Sequence, residues 1–140
     1  MTSIDPYLTI MYMNKILLVY EDYADLMAVE STLKRVGFDV VSVSSEYSLQ
    51  QQMLAFNPDV VVGAGRGGKV SSLGVGKRLK EMARWHGKSV LIFPANFKPS
   101  PQDLIKIRVD MILEAPVLPS VLFKFWRSFW VMTKAFCWSV

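Results

Sequence analysis

Five times along the chain a short apolar run of strand length gives way to a segment with helical spacing of its apolar residues. The runs are Ile16 to Val19, Val40 to Val43, Pro58 to Gly63, Val90 to Phe93 and Val109 to Leu113. Ile16 to Val19 is apolar without alternation, as in a strand covered on both faces, and such strands belong to parallel sheets sandwiched between helices. The connections are short, and crossovers between parallel strands are right-handed. The pattern predicts a single-domain α/β fold: a doubly wound (βα)5 sandwich with a five-stranded parallel sheet.

Local signals place the helix ends. Leu26, Val29 or Glu30, Leu33 and Val36 space out a first helix that Gly37 closes. Ser44 or Ser45 caps a second, running towards Phe56. Leu73 to Trp85 is expected as a third. His86 then stands at its end, where a histidine caps the dipole, and it is given no catalytic role. Ser100-Pro101-Gln102-Asp103 combines a capping serine, proline at the first helical position and an acid three after the cap. Pro119-Ser120 opens a last helix expected to run close to the C-terminus.

Composition bounds the function. With 140 residues and 51% hydrophobic content, a packed globule is expected rather than a disordered tail. The net charge of +4 is uneven: Arg66, Lys69, Lys77, Arg78, Lys80, Arg84 and Lys88 face only Glu81 in their segment. That cluster suits an acidic partner, an anionic ligand or nucleic acid, against the plainer reading of a solvated helix face. A single cysteine, Cys137, excludes an internal disulfide framework and a cysteine-based metal site. A single histidine excludes a histidine-rich one. No uncharged apolar stretch is long enough to span a membrane. Tyr7 to Met13 is apolar but short and lacks a basic leader, so no signal peptide is expected and the cytoplasm is the default location.

The segment 58–72, PDVVVGAGRGGKVSS, imitates a phosphate-binding loop. Gly63, Gly65 and Gly68 fit G-x-G-x-x-G, but no acid lies between Glu81 and Asp103, where a ribose-binding carboxylate belongs. Gly63, Gly68 and Lys69 nearly fit the nucleoside-triphosphate loop, but Val70 stands where Ser or Thr must hold Mg²⁺. Gly65, Arg66, Gly68 and Lys69 remain candidates for holding an anion through backbone N–H groups and cationic side chains.

The chain resembles the receiver domain of bacterial response regulators over about residues 14–130. Lys15-Ile16-Leu17-Leu18-Val19, Pro58-Asp59-Val60-Val61-Val62, Ser89-Val90-Leu91-Ile92-Phe93 and the Ala115-Pro116 dipeptide carry the resemblance. It implies the strand order 2-1-3-4-5 and a phosphoryl-accepting aspartate served by Mg²⁺. The acidic pair expected after the first strand falls on Tyr20 and Glu21, with Asp22 next. The acceptor position is Ala64, the hydroxyl position after the fourth strand is Pro94, and the lysine position is Ala115. A methyl group accepts no phosphoryl group, and proline has no hydroxyl. Mg²⁺ loses one of its hard oxygen ligands as well. The resemblance is therefore to a pseudo-receiver, with no enzymatic activity, metal or cofactor expected. Its strand order places Glu21 and Asp22 beside the glycine loop, where Arg66 and Lys69 are expected to pair with them.

The last helix adds a second feature. Leu122, Phe125, Phe129 and Phe136 form a core stripe on a helical wheel, while Phe123, Trp126 and Trp130 fall beside it. Aromatics in excess of a docking stripe mark a contact surface, and the last helix of receivers commonly contributes to one. A membrane-surface helix is the alternative, with few cations to support it. The expected function is a phosphorylation-independent signalling module that acts by protein–protein contact. Its partner is a second protein or a second copy, through the last helix, with an effector domain in cis expected if the chain is the N-terminal part of a longer regulator. The alternative is a binding domain for a phosphorylated small molecule or nucleotide at loop 63–69. Nucleic-acid binding through the basic third helix ranks last, since no helix-turn-helix signature or stacking aromatics accompany the charge. Residues 1–13 are expected as an N-terminal extension, and residues 131–140 as a continuation of the last helix or a linker.

Overall fold

The unbroken apolar run of the first strand lies where its sequence requires, inside the sheet and covered on both faces. The computed structural model describes residues 15–122 and Lys124. The extension 1–13, the continuation 131–140 and the aromatics Phe123, Trp126 and Trp130 lie outside the described residues. The elements are β1 (Lys15–Tyr20), α1 (Tyr23–Arg35), β2 (Asp39–Val43), α2 (Leu49–Phe56) and β3 (Val60–Ala64). They continue with α3 (Ser72–Lys80), β4 (Lys88–Phe93), α4 (Pro101–Ile105) and β5 (Met111–Glu114). A 3-10 turn, Glu46–Ser48, precedes α2, and residues 119–122 begin a last helix, α5. All strand pairs are parallel, and the order is β2-β1-β3-β4-β5.

Side chains of the central strands alternate between two cores. Ile16, Leu18 and Tyr20 join Val60, Val62, Val90 and Ile92 beneath α1 and Leu122 of α5. Leu17 and Val19 join Val61, Leu91 and Phe93 beneath α2, α3 and Ile107. Each such side chain contributes roughly 1.5–3 kcal/mol on burial, which makes the strand register costly to shift.

Helix α1 ends as its glycine predicts. The Gly37 N–H donates to the Lys34 carbonyl at 3.1 Å and the Phe38 N–H to the Leu33 carbonyl at 3.1 Å, a Schellman arrangement. Ser100 and Asp103 form the expected capping box at α4. Helix α3 departs from expectation. It stops at Lys80, and Met82 and Trp85 continue its apolar spacing without continuing the helix. Long-range contacts explain the stop. The Trp85 indole N–H donates to the Pro58 carbonyl at 2.7 Å, and the Arg108 guanidinium lies 4.6 Å over its ring. Arg108 also donates to the Trp85 and Gly87 carbonyls. His86 is consequently exposed in the loop that follows, not at a helix end.

Candidate functional site

Parallel register gathers the carboxyl ends of the strands at one edge. Tyr20 pairs with Ala64, and Ala64 with Ile92, while Phe93 pairs with Glu114. The residues that follow each strand therefore converge. Tyr20, Glu21, Asp22, Ala64, Pro94 and Ala115, the six positions marked by the resemblance, all line one cavity of ≈ 250 Å³. Asp25, Gly65, Arg66 and Ile92 complete its wall. A wider cleft of ≈ 820 Å³ adjoins it, sharing Asp25, Gly65, Arg66, Pro94 and Ala115, and extends to Phe93 and Phe97. Those two rings stack with centroids 5.7 Å apart.

The acids at this edge have definite partners. Asp22 caps α1, its carboxylate accepting from the Asp25 N–H at 3.0 Å. Glu21 reaches into the loop after β3. Its two carboxylate oxygens accept the Val70 N–H at 3.2 Å and the Arg66 N–H at 3.3 Å. The Gly68 and Lys69 N–H groups are also directed at it. The Val70 N–H is the largest influence holding the Glu21 carboxyl below its usual range; burial opposes it, and the other three N–H groups assist.

The glycine loop is thus an anion-binding nest, and its anion is the chain's own Glu21. The expected side-chain pairs are replaced by these backbone contacts: among the described residues neither Arg66 nor Lys69 forms an ion pair with Glu21 or Asp22. Gly65 itself does not serve the anion, because its N–H donates to the Ser72 hydroxyl at 3.3 Å. The glycines have steric explanations. A Cβ on Gly65 would lie 2.0 Å from the Val70 carbonyl oxygen, and Gly67 has φ +109. Val70, in the place of the motif's Ser or Thr, is fully buried in the core beneath α3.

A second carboxylate clamps the loop from outside, one that sequence reading does not single out. Glu46 accepts the Ser71 N–H at 2.9 Å and the Arg78 Nε–H at 3.1 Å, and its own N–H donates to the Lys69 carbonyl at 3.2 Å. The Ser72 hydroxyl, buried, donates to the Ile92 carbonyl at 2.5 Å. Several cations of the basic segment are engaged locally: Arg78 also lies 5.1 Å over the Tyr47 ring, and Lys80 donates to the Ile105 carbonyl.

Tyr20 stands where the resemblance expects the first acid of the pair. It is only 5% exposed, and burial first, the Asp25 charge second, pushes its phenol well above the ordinary value of 10.0. A neutral phenol, a carboxylate accepting the Arg66 and Val70 N–H groups, a helix cap and a methyl group are not a ligand set for Mg²⁺, which needs hard anionic oxygens in octahedral array. Among the described residues no group of three or more His, Cys, Asp or Glu is arranged to hold a metal ion. Nor is any helix among them long and apolar enough to cross a membrane.

No family model and no curated protein matches the chain in sequence. Solved structures do match it in fold. A CheY-like response regulator receiver domain protein from Methanospirillum hungatei superposes with a TM-score of 0.72 at 13% identity, over 88% of this chain and 98% of that one. The chemotaxis response regulator CheY4 of Vibrio cholerae gives 0.71 at 16% identity, over 83% and 98%. A receiver domain protein from Clostridium thermocellum gives 0.71 at 18% identity, over 87% and 98%. The chain therefore has the receiver fold, with the sheet order that its sequence resemblance implied.

Proposed function

We propose that the protein is a signalling module of the receiver fold that works without phosphorylation, by contact with a protein partner. One observation carries the reading. Ala64 ends β3 between Tyr20 and Ile92 and presents a methyl group where the resemblance expects the phosphoryl acceptor. The neighbouring chemistry supports it: Glu21 is consumed by the loop, Pro94 offers no hydroxyl and Ala115 no cation. A scaffold that keeps its receiver architecture without the receiver reaction retains surfaces rather than catalysis. The aromatic residues Phe123, Trp126 and Trp130 supply the contact surface in this reading. Leu122, just before them, is 1% exposed and ties the start of that segment to the core.

One experiment tests both halves. The full chain is incubated with acetyl phosphate and Mg²⁺, its intact mass is read, and its self-association and partner capture are measured with and without the phosphodonor. The expected outcome is no added phosphoryl group and no change in association, with Trp126→Ala weakening association while leaving the unfolding midpoint nearly unchanged. A labile acyl phosphate on the protein, or association that depends on the phosphodonor, overturns the reading.

A further inference from the structure

The cavity at the carboxyl edge contains three polar side chains that the fold does not use. Tyr20, Asp25 and Arg66 line it together. Among the described residues none of the three side chains has a hydrogen-bond or ion-pair partner. Tyr20 is the telling member, because at 5% exposure its phenol is nine-tenths buried and unpartnered. Its residue is buried but its hydroxyl is open to the cavity it lines, so the group is free to bond a ligand there. The position agrees. In a sheet of order β2-β1-β3-β4-β5 the direction of winding reverses between β1 and β3, and ligands of open α/β sheets bind outside the carboxyl ends of the strands there.

The charges select the ligand. Four charged residues line the cavity: Glu21, Asp22, Asp25 and Arg66. Glu21 keeps its charge but its oxygens already accept loop N–H groups, so it offers fewer bonding positions to a visitor. The remaining pair of carboxylates beside a single guanidinium favours a ligand that carries a cation and accommodates one anion. A metal ion is a poor candidate for that cation, since no suitable cluster exists among the described residues. The rest of the wall is small and apolar, with Ala64, Ile92, Pro94 and Ala115 leaving room at the base. The adjoining stacked rings of Phe93 and Phe97 offer an apolar side chain somewhere to lie.

We propose that this cavity is a binding site for a free α-amino acid. Its ammonium group is received by Asp25 and the Tyr20 hydroxyl, its carboxylate by Arg66, and its side chain lies along Phe93 and Phe97. The charged ends of the ligand meet lining groups of opposite charge, and a volume of ≈ 250 Å³ adjoining a wider cleft admits a molecule of that size. This goes beyond the partner-binding reading and does not depend on it.

The test uses the full chain labelled with ¹⁵N, titrated with each of the common amino acids and, as matched controls, N-acetyl-L-phenylalanine and inorganic phosphate. Expected are saturable amide shifts centred on Gly65, Arg66 and Ala115 for at least one free amino acid. Acetylation of the amine should abolish them. Asp25→Asn should weaken binding about tenfold or more while the unfolding midpoint holds. Ala115→Leu, whose side chain enters the cavity, serves as a second variant that blocks binding by shape should Asp25→Asn fold poorly. The proposal is overturned if no free amino acid gives a saturable shift up to about 10 mM. It is equally overturned if the acetylated compound or phosphate binds as well as the free amino acid, or if neither variant changes the affinity.

Discussion

The loop after β3 and the rest of the cavity wall carry similar polar groups and treat them in opposite ways. In the loop, the Arg66 and Val70 N–H groups go to Glu21, the Gly65 N–H to Ser72, the Gly67 N–H to the Val70 carbonyl and the Ser71 N–H to Glu46. Elsewhere on the cavity wall the Tyr20 hydroxyl and the exposed Asp25 carboxylate have no partner among the described residues. Two regions a few residues apart in the sheet register thus differ in what their polarity is for. Where these backbone N–H groups are answered from within, they hold the backbone in place. Where polar groups are unanswered and face a cavity, they are available to something else. A glycine-rich, lysine-ended loop looks like the functional element by motif, yet it is the structural one.

The sharpest way to break that comparison is Gly65→Ala. The new methyl group would sit 2.0 Å from the Val70 carbonyl oxygen, which is backbone and cannot swing aside. The loop must open, and opening draws Val70 out of the core. A loss of about 2–4 kcal/mol is expected from overpacking together with lost burial. Urea unfolding measures it. A loss below about 0.5 kcal/mol, the size of an ordinary surface change, would mean that the loop is not the closed element described here.

A smaller effect is expected from Glu21→Gln, which keeps the size of the side chain and removes its charge. Charge-assisted bonds from backbone N–H groups are worth more than neutral ones, but Glu21 is open to solvent on one side, so about 1 kcal/mol at neutral pH is the expected loss. The pH dependence identifies the cause. The folded state holds the Glu21 carboxyl below its ordinary value of 4.5, with the Val70 N–H as the first reason. A depressed value means that the contribution is fully present above the unfolded-state value and disappears as pH falls through the folded one. Stability curves for the two proteins should therefore converge in acid. Glu30 and Asp103 are lowered as well, by Lys34 and by the Ser100 N–H respectively, and they make both curves fall together. Curves that stay parallel down to the acid limit would separate Glu21 from the loop's stability.

What the sequence made legible follows the range of the interactions. The five strands, the Gly37 cap and the Ser100–Asp103 box are set by neighbours within a few residues, and each stands in the structure close to its expected place. The six positions that the resemblance marked lie together in one cavity, because the parallel register brings the strand ends to one edge. The end of α3 was not legible. Met82 and Trp85 keep helical spacing, while the bonds that stop the helix come from Pro58 and Arg108. Glu46 was missed for the same reason, since its bonds to Ser71 and Arg78 span 25 and 32 residues. One signal for the loop was present: Val70, an apolar residue where a nucleotide loop needs a hydroxyl, is the side chain that anchors the loop in the core. Asp25 had none beyond its place in the first turn of α1.

The smallest effect expected is also the one that decides whether the second region is as different from the first as it looks. Tyr20→Phe removes a hydroxyl that has no partner among the described residues, so its loss at neutral pH should stay within about 0.5 kcal/mol. In alkali the two proteins should part. Burial first and the Asp25 charge second raise the Tyr20 phenol above its ordinary value of 10.0. In the unfolded chain the phenol ionises near that value, whereas in the folded chain it keeps its proton. Between the two values the folded state binds more protons, so stability falls as pH rises. Below the unfolded value there is no such loss. Phenylalanine has no proton to lose, so the variant should lose less stability than the parent above about pH 10. Urea midpoints at neutral pH and in the alkaline range measure both parts. A neutral-pH loss above about 1 kcal/mol would instead show that the hydroxyl is bonded within the protein. The cleft wall would then be satisfied in the same manner as the loop, and the contrast between the two regions would disappear.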